Sequence, residues 1–129
     1  MEILEVTEHK EQYIEILSLS GEQESAILAY LNKGILFALY EDFDLKSAAV
    51  ITKENDDIFD INNISAMYHG KGYETEMIKH IIQYCKGKSK KILVDTGENE
   101  TLLIFLEKLG FVYSHAVQEK IYHKFEYKN

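Results

Sequence analysis

The chain has 129 residues, 46% of them apolar, with 14 basic against 22 acidic side chains for a net charge of −8. That length makes a single domain, residues 1–129, large enough to bury a core, and the apolar fraction excludes disorder. Every basic residue is a lysine interleaved with acids, which excludes the basic footprint of a nucleic-acid partner and leaves a solvated acidic surface or a field that favours cationic substrates.

Residues 2–6 alternate like a short strand, and residues 9–19 and 21–32 read as helices. Ser20, with Gln23 three residues on, has the spacing of a capping box for the second helix, and Asn32, Lys33 and Gly34 signal its end. Residues 35–40, 46–53 and 58–65 read as three strands separated by the acidic turns EDFD and ENDD, an antiparallel meander. In residues 73–86, Tyr73, Met77, Ile78, Ile81, Ile82 and Cys85 fall on one helical face. A strand over 91–96, a helix over 99–109 and two strands over 111–117 and 120–127 complete a mixed α/β layer fold.

The junction between strand 58–65 and helix 73–86 carries the chemistry. It reads YHGKGYET, and the glycines at 70 and 72 let an anion approach the backbone. A helix N-terminus leaves about four N–H groups unpaired and adds the positive end of the macrodipole. Such a loop binds phosphate or pyrophosphate. One reading is a dinucleotide fingerprint, with Gly70, Gly72 and Thr75 at the G-x-G-x-x-G positions and Asp95 as a ribose-binding acid. The missing third glycine, the meander upstream and the short remaining chain count against it. A Walker loop fails because no GK[ST] ends the run.

The chain resembles the GNAT superfamily of N-acetyltransferases from end to end. That family's pyrophosphate signature is Gln or Arg, two residues, Gly, one residue, then Gly or Ala; His69, Gly70, Lys71, Gly72, Tyr73 and Glu74 occupy it here. A second block is an Asn after the fifth strand followed by an aromatic-rich helix ending in E-K-x-G-F. It reads Asn99, Phe105 and then Glu107, Lys108, Leu109, Gly110 and Phe111. The resemblance implies a GNAT-like fold, with a central, mostly antiparallel mixed sheet flanked by helices. It implies acetyl-CoA as co-substrate and direct acetyl transfer to a primary amine of a small molecule or protein. It assigns the pyrophosphate to the backbone of residues 70–75, ending at Thr75. The pantetheine would pair with the edge of strand 58–65, with Ile64 and Val94 flanking the thioester and Asn99 fixing the arm from the far side.

Three positions depart from the family pattern. His69 replaces the family's Arg or Gln. Glu74 brings a carboxylate to the anion site, where it also serves the helix dipole, with Lys71 as a partial counter-charge. Leu106 stands where many members place a tyrosine as acid to the leaving thiolate. Asp60 is the candidate catalytic base: by the period of two it shares a face with Asn62 and Ile64 and would reach an incoming amine directly or through water. Tyr113 and Tyr122 are candidate phenols near the thioester. These departures favour the alternative function, a non-catalytic GNAT domain that binds acyl-CoA or a protein partner.

The other polar residues read structurally. The five histidines show no i, i+4 pair and no cysteine partner, so no metal is expected. Cys85 reads as core, and Lys86, Lys88, Lys90 and Lys91 as a solvated turn. A single cysteine, no signal-like start and no apolar run near 18 residues point to a cytoplasmic protein without a membrane partner. The apolar C-terminal strand would serve a homodimer as readily as a monomer core.

Overall fold

The computed structural model describes residues 1–95, 100–113 and 124–128. Strands β1 (Glu2–Val6), β2 (Ile35–Glu41), β3 (Asp44–Asn55) and β4 (Ile58–Ala66) pair antiparallel in succession. Helix α3 (Tyr73–Cys85) carries the chain from β4 to β5 (Lys91–Asp95), which lies parallel to β4. Strand β7 (Lys124–Lys128) pairs antiparallel with both β5 and β6 (Val112–Tyr113). The sheet thus runs β1-β2-β3-β4-β5-β7-β6. Helices α1 (Ile14–Leu17) and α2 (Glu24–Leu31) precede the meander, and α4 (Glu100–Lys108) follows β5. The fold is the mixed, mostly antiparallel α/β sheet that the sequence implied.

Both faces of the central strands are covered, which is why β2 and β3 read as continuous apolar runs. On one face Phe37, Leu39, Ala49 and Ile51 pack with Met77, Ile78, Ile81 and Cys85 of α3 and with Leu106 of α4. On the other, Leu36, Ala48 and Val50 pack with Ile16 and Leu17 of α1 and Ile27, Tyr30 and Leu31 of α2. The stripe predicted for α3 is the buried one, while Glu76, Lys79 and Gln83 face out. Burial pushes the Cys85 thiol up to about 11, so it is an inert core group.

The first helical segment differs from its expectation. Residues 9–19 do not form one helix: a 3-10 turn (Lys10–Tyr13) leads into α1, and a second (Ser18–Ser20) follows it. Serine hydroxyls compete for the backbone there, Ser18 Oγ donating to Ile14 O at 2.7 Å and Ser20 Oγ to Leu17 O at 2.9 Å. Ser20 therefore makes no capping box; α2 begins at Glu24, with Gln23 before it and no side-chain cap. The other end of α2 is closed from a distance. Lys10 Nζ donates to Leu31 O at 3.3 Å and to Gly34 O at 2.7 Å, setting a cation on the negative end of the helix.

Two positions generate stability predictions. Gly34 is required for space and not for a left-handed turn, since a Cβ there would lie 2.6 Å from Val50 Cγ1 and 2.8 Å from Tyr30 O. Gly34→Ala is expected to destabilise by about 1–3 kcal/mol through overpacking. A lowered urea midpoint at constant slope is the check, and an unchanged midpoint would refute the close approach. The β2–β3 hairpin turns through Asp42 (φ 54°) and Phe43 (φ 67°), the two positive φ values that a tight type I′ hairpin needs. Phe43 is fully exposed, so nothing offsets the strain of a bulky left-handed residue. Phe43→Gly should stabilise by about 0.5–1 kcal/mol, read in the same titration.

Candidate active site

The site begins with an irregularity in β4. Ile61 pairs with Ile51 and Asn63 with Val50, so Asn62 is one residue too many for the ladder. A bulge of this kind bends its strand and raises the local twist. Its consequence follows at once: β4 pairs with β5 only from Ile58–Lys91 to Ile61–Val94, and residues 62–66 run on without a β5 partner. The described pairing of the two parallel strands ends there. Among the described residues, the β5-facing backbone edge of β4 has no partner beyond Ile61.

The bulge also changes which side chains share a face. Phe59, Ile61 and Ile64 all pack on the α3 side, although 61 and 64 differ by an odd number. Asn63 and Ser65 turn to the α1–α2 side, and Asp60, opposite Thr52, faces that side as well. Asn62 accepts a bond from Thr52 Oγ1 at 2.9 Å. The expectation that Asp60 and Asn62 share a face with Ile64 is therefore overturned, because the extra residue breaks the period of two. Val94, 3% exposed, belongs to the same core as Ile64.

The chain leaves β4 at Ala66 and enters α3 at Tyr73 through an exposed loop. Gly70 and Gly72 have φ of 77° and 81°, and a Cβ on either would meet nothing within 4 Å. Glycine is needed there for backbone conformation, and open space surrounds it. The first bond of α3 is Glu76 N–H to Gly72 O at 3.1 Å. The N–H groups of Tyr73, Glu74 and Thr75 precede it and have no acceptor among the described residues. Three donors thus face outward at the positive end of a 13-residue helix.

Side chains around the loop are arranged differently from expectation. Glu74, 29% exposed, pairs with the outward imidazole of His69 at 3.4 Å. Lys71 is exposed and makes no ion pair among the described residues, so the counter-charge beside Glu74 comes from His69 when it is protonated, and Lys71 does not supply it. The Tyr73 ring is buried, and its hydroxyl donates to Glu41 Oε1 at 3.0 Å. Burial and the Glu41 carboxylate hold that phenol above its ordinary range. Only the backbone of Tyr73 is left to face a ligand.

Leu106 is fully buried in the α3-side core, where its carbonyl accepts from the N–H of Leu109 and Phe111. It packs instead of presenting a polar group to the opening. Asn99 and Tyr122 lie outside the described residues, as does the side chain of Tyr113. Among the described residues no three His, Cys, Asp or Glu side chains converge as a metal site.

A buried polar network on the α1–α2 side was not anticipated. Asn63 and Ser65 are 4% and 3% exposed. Asn63 Nδ2 lies within 3.1 Å of Leu17 O, Ser20 Oγ, Glu22 Oε1 and Tyr30 Oη. Ser65 Oγ donates toward Asn63 Oδ1 at 2.7 Å, and Tyr30 Oη to Glu22 Oε1 at 2.7 Å. Burial and then the bond to Glu22 raise the Tyr30 phenol well above its usual range. The signal was available in NNIS at 62–65: polar residues in a strand otherwise apolar enough to be buried on both faces.

No sequence profile of a known family matches the chain, and no curated protein matches it in sequence. Solved structures do. A GNAT family acetyltransferase from Elizabethkingia anophelis with acetyl-CoA bound superposes with a TM-score of 0.88 at 18% identity, over 99% of this chain and 97% of that one. An IAA acetyltransferase from Bacillus cereus gives 0.87 at 19% identity, over 99% of both chains. A Bacillus subtilis acetyltransferase in complex with CoA gives 0.86 at 17% identity, over 99% of this chain and 98% of that one. The chain has the fold of the GNAT acetyltransferases.

Proposed function

We propose that this protein is an acetyl-CoA-dependent N-acetyltransferase acting on a primary amine. The observation that carries the reading is the succession of two backbone features along the chain, a β4 edge with no β5 partner beyond Ile61 and the N–H groups of Tyr73, Glu74 and Thr75 with no acceptor among the described residues. The loop with Gly70, Lys71 and Gly72 supports a pyrophosphate site, because backbone N–H groups at a helix N-terminus hold an anion without a cationic side chain. The edge of β4 supports the pantetheine amides by the physics of strand addition. Likeness to structures whose bound molecules are acetyl-CoA and CoA supports the choice of co-substrate.

In the transfer the amine nitrogen attacks the thioester carbonyl, the C–N bond forms, and the C–S bond breaks to release CoA. The protein must hold the amine against the carbonyl, take its proton and stabilise the oxyanion. The bulge at Asn62 disturbs the β4 ladder at the opening, where a backbone N–H can serve the oxyanion. Asp60 is assigned to the proton, now from the α1–α2 side of β4 and through water. His69 and Glu74 neutralise one another when the imidazole is protonated, which lessens the repulsion Glu74 would exert on a pyrophosphate. A second reading, acyl-CoA binding without turnover, is favoured by Leu106, which lies in the core and offers no acid to the thiolate.

Titration calorimetry with acetyl-CoA and CoA tests the site directly. Micromolar binding is expected, and Glu74→Gly should tighten it by about tenfold, or about 1.4 kcal/mol. An unchanged affinity would count against the loop as the pyrophosphate site. Asp60→Asn should lower kcat by about 10²-fold or more while leaving the CoA dissociation constant unchanged. Thiol release at wild-type rates from that variant would remove Asp60 from the mechanism. Binding with no thiol release from any amine would favour the non-catalytic reading.

A further inference from the structure

We infer that the charge on His69 sets the strength of the anion site at the start of α3, so that the chain binds acetyl-CoA more tightly as pH falls through the range in which histidine titrates. The inference rests on the acetyl-transfer reading and names the regulation of that same site. The backbone donors of Tyr73, Glu74 and Thr75 keep their partial charge at every pH. The side chains around them are mostly acids. Glu74 and Glu76 lie in the first turn of α3. Glu41 accepts from the Tyr73 hydroxyl at 3.0 Å. Burial, that bond and the charges of Glu41 and Asp42 together hold the phenol protonated.

Fixed positive charge at the loop comes from Lys46 and Lys71 among the described residues. Lys46 is already engaged, with Nζ 5.4 Å from the centre of the Tyr68 ring and 4.0 Å from Asp44. Its carbonyl accepts from the Met67 N–H at 2.8 Å, which holds it beside the entrance to the loop. Lys71 is exposed and makes no ion pair among the described residues. An incoming pyrophosphate therefore meets attractive backbone in a setting of acidic side chains. One further positive charge there counts.

His69 is the loop side chain able to supply it, because imidazole gains its proton between about pH 8 and about pH 5. Its Nδ1 lies 3.4 Å from Glu74 Oε1, with the ring 93% exposed and the carboxylate 29% exposed. With a neutral ring, the Glu74 charge stands uncompensated beside its own backbone donor. With a protonated ring, the contact becomes an ion pair and Nε2 carries a further N–H toward solvent. The other described histidines lie elsewhere. His80, half-buried on α3, packs edge-on against Phe37 at 4.9 Å, and burial lowers its proton affinity. His9 precedes the first 3-10 turn, 3.7 Å from Glu11. His115 and His123 lie outside the described residues.

The sign follows from linkage. If the protonated loop binds the anion better, binding takes up protons, and affinity is full at low pH and lost as pH rises. The transfer step has the opposite preference, because its nucleophile is the neutral amine. The KM for acetyl-CoA would then climb with pH while kcat climbs as well.

The test is titration calorimetry of the full chain with acetyl-CoA and with 3′-dephospho-CoA. The second probe lacks the phosphate monoester, which itself titrates at about pH 6, and its pyrophosphate keeps one charge state throughout. Wild type should bind 3′-dephospho-CoA about three- to fivefold more tightly at about pH 5.5 than at about pH 8. His69→Gln should give a flat profile at the weak, alkaline level, and His69→Arg a flat profile at the tight, acidic level. Both side chains replace an exposed ring, so equal urea midpoints are expected for the three proteins. At about pH 6.5, buffers of different ionisation enthalpy should report proton uptake by wild type and none by His69→Gln. Binding that ignores pH in wild type, or a pH dependence that persists in His69→Gln, would overturn the inference and leave the acetyl-CoA site standing. No binding of either probe at any pH would remove the acetyl-CoA reading, and this inference with it.

Discussion

An extra residue in the middle of a strand organises this molecule. With Asn62 inserted opposite Ile51 and Val50, β4 bends, and its described pairing with β5 ends at Ile61 and Val94. The same residue shifts the alternation, sending Asn63 and Ser65 to the helix pair α1–α2 and Ile64 to α3. A regular strand would give one or the other, a continuous sheet or an uninterrupted alternation. The end of the described β4–β5 pairing and the polar network beneath α1–α2 therefore meet at one irregularity. A bulge is tolerated because the antiparallel partner, β3, absorbs the mismatch and because both faces remain packed.

Electrostatics at the loop follow a second logic. Backbone donors at the start of α3 attract an anion whatever the neighbouring side chains are. Glu74 uses that same field, since an acid in the first turn of a helix is stabilised there. It is turned toward the His69 imidazole, 3.4 Å away, and Tyr73 is held away by Glu41. The side chains that could obstruct the loop are thus each tied to a neighbour, and the glycines keep the backbone open.

Much of the fold could be read from the sequence, and the reasons are local. The α3 stripe, the meander and the glycine loop each depend on residues close in the chain, so periodicity and turn chemistry sufficed. Residues 9–19 were misread because the carbonyl that should continue the helix is taken elsewhere. Leu17 O accepts from Ser20 Oγ and from Asn63 Nδ2, with Ser65 Oγ 3.2 Å away, and two of those three groups lie in β4. Asp60 was placed on the wrong face for a related reason: a bulge is a mismatch between two strands, and one strand's pattern does not contain it. Leu106 was legible as a departure from the family pattern, while its place in the core needed the packing. Glu22 and Tyr30 gave no sign of belonging together with Asn63 until the fold brought them within 3.0 Å.

The polar network bears directly on stability. A buried amide without partners costs on the order of 1–3 kcal/mol, and a buried carboxylate more. Asn63 escapes that cost only while α1, the Ser20 turn and α2 sit where they do, because each supplies one of its acceptors. The helix pair is therefore tied to β4 by directional bonds in addition to the apolar contacts of Ile16, Leu17, Ile27 and Leu31. Apolar packing alone would let a short α1 slide by a fraction of a turn at little cost, whereas the amide tolerates almost no displacement. The bonds that position Glu22 are the ones that fix the layer carrying it. A fixed Glu22 carboxylate is then a consequence of how α1 and α2 are held down, and it requires no element of its own.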